Sequence, residues 1–195
     1  MIDARDAALL VLGWAAALRR SELAGLDWQE LRSGTGYVQI LDRGLVVTLP
    51  TSKGSQEEAV EIVIPCPDMP TACDALARWA RVAGLKPGEP VFRWINKGGA
   101  IAPGRLNDAS VSRIVKTRLR ALAVARGKSE AEARKLVAAY SSHSMRAGYA
   151  TTAGEHDEPG YRIQQRMRHK SMDTTGGYIR AGQQWSKSGL KGFGF

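Results

Sequence analysis

HSMRAGYATTAG, residues 143 to 154, is a segment rich in small residues that carries a histidine and an arginine three positions apart. Side chains at this spacing lie on the same face of a helix, so the imidazole of His143 and the guanidinium of Arg146 are expected to converge. Two such groups together suit an anionic ligand. The segment therefore predicts a helix that presents a site for an anion.

The rest of the chain has the composition of a globular protein. It has 195 residues, of which 44% are hydrophobic, enough for about one domain with its own core. Its longest apolar run, residues 7 to 18, falls short of the roughly 20 residues that a bilayer requires, and no secretory signal is recognisable. We therefore expect a cytoplasmic protein with no membrane partner.

The residues that bind metals and cofactors are sparse. Cys66 and Cys73 have no neighbouring Cys or His, so the sequence predicts neither a zinc site nor a disulfide, but two thiols that pack in the protein. There is no GxGxxG motif, no phosphate-binding lysine loop and no cluster of carboxylates. The prediction is no cofactor and no metal.

The charge is unevenly distributed along the chain. The net charge is +9, with 28 Lys and Arg residues against 19 Asp and Glu residues, and residues 99 to 195 contain only seven of the acids. Such an excess is typical of proteins that bind a polyanion, usually nucleic acid. On charge alone, a solvated basic surface without a partner is an equally good interpretation.

The pattern of apolar residues predicts an α+β fold that is mainly helical, with a small antiparallel sheet near residues 36–65. The β-branched runs GYVQIL, GLVVTL and AVEIVI supply its strands. Asp3 is the predicted cap of a first helix that ends near Arg20, and Ser21 the predicted cap of a second. Three more helices are predicted. One covers residues 71 to 84, one starts at Asn107, and one is capped by Ser129.

The helix that starts at Asn107 has a basic side formed by Arg113, Lys116 and Arg120. This side could follow a phosphate backbone, or it could be an ordinary solvated face. Further along, RMRHKSMDTTGGYIR places His169 at the end of a helix and Tyr178 nine residues later. Two glycines precede Tyr178 and weaken helix formation, which predicts a mobile segment.

Four motifs, ALRRSEL, TSKG, HSMR and HKSMDTTGGY, occur in an order that resembles the tyrosine recombinase (phage integrase) family. The resemblance covers nearly the whole chain. Arg19, not Arg20, matches the family pattern of Arg, any residue, Ser, Glu, Leu. The resemblance implies a catalytic set of six residues: Arg19, Lys53, His143, Arg146, His169 and Tyr178.

The chemistry of these residue types agrees with the roles that the resemblance implies. Tyr178 would be the nucleophile that forms a 3′-phosphotyrosine, and Arg19 and Arg146 would clamp the non-bridging oxygens of the phosphate. Lys53 would protonate the departing 5′ oxygen. His143 would take or shuttle the proton of Tyr178, and His169 would hydrogen-bond a non-bridging oxygen.

The resemblance further implies a site-specific recombinase or integrase that acts on double-stranded DNA without a metal. Its partners would be a homo-oligomer, a tetramer on paired DNA sites, in the nucleoid of a bacterial or phage system. The tail after Tyr178 would pack on a neighbouring protomer, or fold back on its own domain. A non-catalytic DNA-binding or regulatory module derived from a recombinase is the alternative.

Two departures from the family pattern affect these expectations. Residues 1–195 match the catalytic domain alone, so the N-terminal core-binding domain that usually completes a clamp on DNA is expected to be absent, with weaker DNA binding as the result. Arg168 stands where the family often has Gly. It is expected either to alter the approach of His169 or to add a phosphate contact.

Overall fold

A computed structural model describes residues 1–31, 35–50 and 59–183. Within these ranges the chain forms helices over most of its length and two small sheets, which confirms the predicted α+β class. No helix in this part of the chain is long and apolar enough to cross a membrane.

The first helix, α1 (Ile2–Ala15), is largely buried and is shorter than predicted. The predicted cap was wrong: Met1 precedes the helix, whereas Asp3 lies in its first turn and pairs with Arg118 at 2.7 Å. The helix stops before Arg20 because Ala17 has a φ of +47°, which turns the chain out of the helical path. The carbonyl oxygens of Ala15, Ala16 and Ala17 at this end accept hydrogen bonds from arginine side chains.

The cap of the second helix, α2 (Arg20–Gly25), lies two residues earlier than predicted. Arg19, not Ser21, is its cap residue. The reason is that the carboxylate of Glu22 accepts a hydrogen bond of 2.6 Å from the backbone N–H of Arg19, so the acid in the first turn satisfies this end of the helix.

The main sheet has four strands in the order of the chain: β1 (Asp27–Trp28), β2 (Tyr37–Leu41), β3 (Gly44–Leu49) and β4 (Val60–Pro65). Strands β2 to β4 are antiparallel, which confirms the sheet predicted near residues 36–65. The sequence pattern missed the short strand β1, which is parallel to β2. It also missed a separate hairpin of β5 (Arg93–Ile95) and β6 (Ile101–Arg105).

The third helix, α3 (Pro70–Ala83), ends at Gly84 as predicted, and Gly84 has the left-handed φ of +58° that suits glycine. The prediction of two free thiols was wrong, because Cys66 and Cys73 form a disulfide. Cys66 follows β4 and Cys73 lies in the first turn of α3, and the reversal of the chain between them brings their Cα atoms to 5.8 Å. Spacing alone does not reveal such a reversal.

From Asp108 to Gln183 the chain forms five helices. The side chain of Asn107 caps the first of these helices, which was predicted to start there, and that of Ser129 caps the second as predicted. Two of the three basic residues on the first of these helices are engaged within the protein: Arg120 pairs with Glu130, and Arg113 donates to the hydroxyl of Ser110. The helices are α4 (Asp108–Ala125), α5 (Glu130–Ala138), α6 (His143–Glu155), α7 (Gly160–Met167) and α8 (Met172–Gln183).

A small second core lies below α6, α7 and α8. Ile163 and Met167 are fully buried in it, and Tyr178 and Ile179 pack against it. Helix α6 comes so close to α8 that a Cβ at Gly154 would lie 3.1 Å from the Cα of Ile179. The glycines before Tyr178 do not interrupt α8; the mobility of this segment stays a prediction.

Candidate active site

Arg146 is the most deeply buried of the predicted site residues. It lies in the first turn of α6 with 2% of its surface exposed, and it donates hydrogen bonds to the backbone oxygens of Ala17 and Met167. Burial, together with the positive charges of Arg168 and Arg19, lowers the pKa of Arg146 to about 10. The guanidinium is therefore still charged at neutral pH, and its direction is set by two backbone segments.

The open end of α1 explains why arginines gather here. Arg166 donates to the carbonyl of Ala15 at 3.1 Å, and Arg168 donates to that of Ala17 at 3.0 Å, the same oxygen that accepts from Arg146. The last carbonyl groups of a helix lack partners within the helix and carry partial negative charge. The carbonyl oxygens at the end of α1 thus hold Arg146, Arg166 and Arg168 in place.

His143 and Tyr178 are brought together from different helices. His143 is the first residue of α6, and its Nε2 atom lies 3.3 Å from the hydroxyl oxygen of Tyr178 on α8. The imidazole is exposed, whereas the tyrosine is partly buried. An imidazole at hydrogen-bond distance from a phenol can accept its proton, which makes the phenol oxygen a better nucleophile.

His169 completes this group of rings. It follows the end of α7, and its ring centre lies 6.2 Å from that of Tyr178, with an angle of 30° between the planes. Its Nδ1 atom lies 3.0 Å from the hydroxyl oxygen of Thr175, and the side chain of Gln164 donates to its backbone oxygen at 3.1 Å. Both the ring and the backbone of His169 are therefore held by neighbours.

The charges around His169 determine its protonation. Burial lowers the pKa of this imidazole, and the positive charges of Arg146 and Arg19 lower it further. His169 is consequently neutral at neutral pH and has one N–H group to donate.

Arg19 lies at the edge of the site with its side chain half exposed. Its guanidinium donates to Glu22 at 2.7 Å and lies 3.5 Å from the backbone oxygen of Arg168. Arg19 is thus oriented by one carboxylate and remains open to solvent on one side. Lys53, the remaining predicted residue, lies outside the described residues.

Arg168 takes a conformation that explains the glycine expected at its position. It ends α7 with a φ of +51°, in the left-handed region where glycine has no steric penalty. Its side chain turns inward and donates to Glu22 at 2.7 Å and to the end of α1. The predicted phosphate contact thus competes with partners that already hold this guanidinium.

Glu22 and Thr175 are site residues that the sequence analysis missed. Glu22 joins Arg19 to Arg168, and although burial by itself raises its pKa, the charge of Arg168 and the hydrogen bonds from Arg19 outweigh burial and lower it. The only sequence signal for Glu22 is its place in the ALRRSEL motif. No sequence signal marks Thr175, because the sequence does not show which of the adjacent Thr174 and Thr175 faces the site.

Arg19, Arg146 and Arg168 line one site with two histidines and a tyrosine. Burial, followed by the charges of the neighbouring arginines, lowers the pKa of Arg146 and of His169. Such mutual repulsion is relieved by an anion, and guanidinium groups match the oxygens of a phosphate. Among the described residues, no three His, Cys, Asp or Glu side chains are grouped in a way that could hold a metal ion. Such an arrangement can hold an anion, with the hydroxyl of Tyr178 beside it.

Comparison with solved structures shows the same fold. A structure of the XerH site-specific recombinase bound to a palindromic difH substrate aligns with 97% of this chain and 45% of its own, with a TM-score of 0.60 and 16% identity. The Tn1549 transposon integrase in complex with transposon right end DNA aligns with 89% of this chain and 53% of its own, with a TM-score of 0.54 and 15% identity.

The chain belongs to the phage integrase family, whose sequence profile matches residues 1–184. An integrase/recombinase xerD homolog of Selenomonas ruminantium is 32% identical over 95% of this chain and 50% of its own length. The tyrosine recombinase XerC of Xanthomonas axonopodis pv. citri (strain 306) is 30% identical over 88% of this chain and 45% of its own. The chain thus spans about half the length of the relatives that it matches.

Proposed function

We propose that this chain is the catalytic domain of a site-specific DNA recombinase that cuts and rejoins strands through a 3′-phosphotyrosine. The observation that carries the proposal is the pairing of the Tyr178 hydroxyl with His143 Nε2 at 3.3 Å, one helical turn from the buried Arg146. Membership of the phage integrase family supports the same reaction.

In the proposed cleavage step, the Tyr178 oxygen attacks the phosphorus while His143 takes the phenolic proton. A bond forms between the tyrosine oxygen and phosphorus, and the bond from phosphorus to the 5′ oxygen breaks. Lys53 is assigned the role of general acid, which donates a proton to the departing 5′ oxygen. Attack by a 5′ hydroxyl of a partner strand reverses the step and releases Tyr178.

Charge stabilisation is assigned to the arginines and His169. Arg146 is held by the Ala17 and Met167 oxygens, so its remaining N–H groups are oriented before a phosphate arrives. Arg19 would supply the second guanidinium and His169 an N–H to a non-bridging oxygen. These groups neutralise the transition state by themselves, which is why we propose a reaction without metal or cofactor.

Double-stranded DNA is the proposed partner. The XerH and Tn1549 integrase structures with the same fold are complexes with DNA, and the second half of this chain has a large basic excess. A homotetramer on paired DNA sites and a place in the nucleoid belong to the same proposal.

The test is a trapping assay with nicked DNA duplexes of randomised sequence in the presence of a chelator. We expect a protein–DNA adduct that survives denaturation and maps to Tyr178. Tyr178→Phe is expected to abolish the adduct with DNA binding retained, and Arg146→Ala to lower its rate about a hundredfold or more.

Tyr161→Phe is the matched control, because this exposed tyrosine lies on α7 and outside the site. It is expected to form the adduct at the wild-type rate. An adduct in Tyr178→Phe would contradict the proposed nucleophile, and its loss in chelator would contradict the metal-free reaction. DNA binding without any adduct would favour the non-catalytic module.

A further inference from the structure

Thr175 is a buried polar residue that the mechanism above does not use. Its side chain is entirely inaccessible to solvent, and its hydroxyl oxygen lies 3.0 Å from His169 Nδ1. The adjacent Thr174 is exposed. A buried hydroxyl beside an imidazole nitrogen is a defined hydrogen-bonding partner and not a solvated side chain.

The polarity of this hydrogen bond decides which ring nitrogen of His169 carries the proton. A neutral imidazole has one N–H, and its position depends on the partner of the other nitrogen. If the hydroxyl donates to Nδ1, the proton sits on Nε2. If it accepts from Nδ1, Nε2 has a bare lone pair, which repels a phosphate oxygen.

Burial and the arginines of the site favour the neutral ring of His169. Arg146 and His143 face His169 from α6, Arg19 faces it from the start of α2, and Arg168 from its own turn, while Tyr178 stacks on it from α8. Because Nδ1 of this neutral ring faces Thr175, the nitrogen left to donate to a phosphate is Nε2, which must then carry the single proton.

On the basis of the proposed function, we propose that Thr175 is a positioning residue whose hydroxyl donates to Nδ1 of His169 and places the imidazole proton on Nε2. The placement of Thr175 on α8, three residues before Tyr178, gives this contact a second consequence. Residues three apart lie on one face of a helix, so α8 orients the nucleophile and the histidine together.

The first test uses the free protein and needs no DNA. Two-bond proton–nitrogen spectra of protein labelled at histidine nitrogen report the tautomer of His143, His156 and His169, with His169→Gln for assignment. The wild type is expected to show His169 with its proton on Nε2. Thr175→Val is expected to mix the two tautomers, because the hydroxyl that selects one of them is lost.

Two variants control for packing. Thr175→Ser keeps the hydroxyl and is expected to keep the wild-type tautomer. Thr174→Val makes the same exchange at the exposed neighbour and is expected to change nothing. A wild-type ring with its proton on Nδ1, or an unchanged tautomer in Thr175→Val, would overturn the proposal. If Thr175→Val fails to fold, the wild-type and Thr175→Ser spectra still decide.

The second test measures adduct formation in a single turnover as a function of DNA concentration. Thr175→Val is expected to slow the maximal rate about tenfold or more, because a group that contacts the phosphate is no longer oriented, while the DNA concentration at half-saturation stays unchanged. Thr175→Ser is expected to restore the rate. An unchanged rate in Thr175→Val would overturn the positioning role. If even the wild type forms no adduct while His169 shows the expected tautomer, the proposed recombinase function fails and the hydrogen bond stands.

Discussion

At the scale of single residues, Glu22 is the carboxylate that keeps the cationic groups of this site in place. One oxygen accepts from the Arg19 side chain, and the other accepts from the Arg19 backbone and from Arg168. With two guanidinium groups attached to it, its charge is compensated although the side chain is only 18% exposed. The residue therefore contributes both to the stability of the fold and to the direction of Arg19.

We predict that Glu22→Gln lowers the free energy of unfolding at pH 7 by about 1.5 to 3 kcal/mol, the usual range for a hydrogen bond to a charged group. The pKa of Glu22 is lowered in the folded protein from its ordinary 4.5, so its stabilising effect is complete above pH 4.5 and is lost as the pH falls through the folded value. Urea titrations of both proteins from pH 7 to pH 3 measure this difference.

The matched control is Glu61→Gln, at an exposed position on β4. It is expected to leave the free energy of unfolding nearly unchanged at pH 7. A difference between Glu22→Gln and the wild type that persists at the lowest pH would show that the carboxylate charge is not the source of the effect.

At the scale of helices and strands, the close contact of α6 with α8 determines where Tyr178 lies relative to His143. A Cβ at Gly182 would collide with the backbone oxygen of Thr151, whereas a Cβ at Gly177 would meet nothing within 4 Å. Both glycines lie in the same helix. Alanine substitutions at these two positions therefore distinguish the effect of close packing from the effect of helix propensity.

We predict that Gly182→Ala lowers the free energy of unfolding by about 1 to 3 kcal/mol, because the added methyl group pushes α8 away from α6. It should also slow adduct formation at Tyr178. Gly177→Ala is expected to raise the free energy of unfolding by up to about 1 kcal/mol, because alanine is the better helix former. Denaturant titrations of the two variants check this; equal effects would contradict the packing argument.

At the scale of the whole molecule, the net charge of +9 is the property that bears most on the proposed DNA binding. A protein that replaces condensed counterions on DNA loses affinity as salt is added, by a factor that grows with the number of phosphates contacted. The internal partners of Arg113 and Arg120 leave other basic residues to make such contacts.

We predict that the affinity for a duplex of random sequence falls about tenfold or more between 50 and 200 mM salt. Fluorescence anisotropy of labelled DNA titrated with the Tyr178→Phe protein measures binding without cleavage. An affinity that does not change with salt would show that phosphate contacts do not carry the binding.

Local pattern predicted much of this protein. Apolar periodicity located α3, α4 and α5 and the strands β2 to β4, since these signals come from neighbouring residues. The order of the motifs identified the family, which the match to its sequence profile confirms. The same motifs contain Arg19, His143, Arg146, His169 and Tyr178, which the structure brings together. The exact caps of α1 and α2 escaped prediction. Asp3 pairs with the distant Arg118, and Glu22 bonds the backbone of Arg19, which is not one of the residue types that usually cap a helix.

Only the tertiary structure could decide contacts between distant residues. The pairing of His143 with Tyr178 spans 35 residues, and that of Glu22 with Arg168 spans 146. These contacts exist because α6, α7 and α8 enclose a small core and direct their arginines to the open end of α1. The disulfide and the choice of Thr175 over Thr174 depend in the same way on how the chain packs. The sequence by itself thus determined which chemical groups are present and their local structure, whereas packing determined which of them meet.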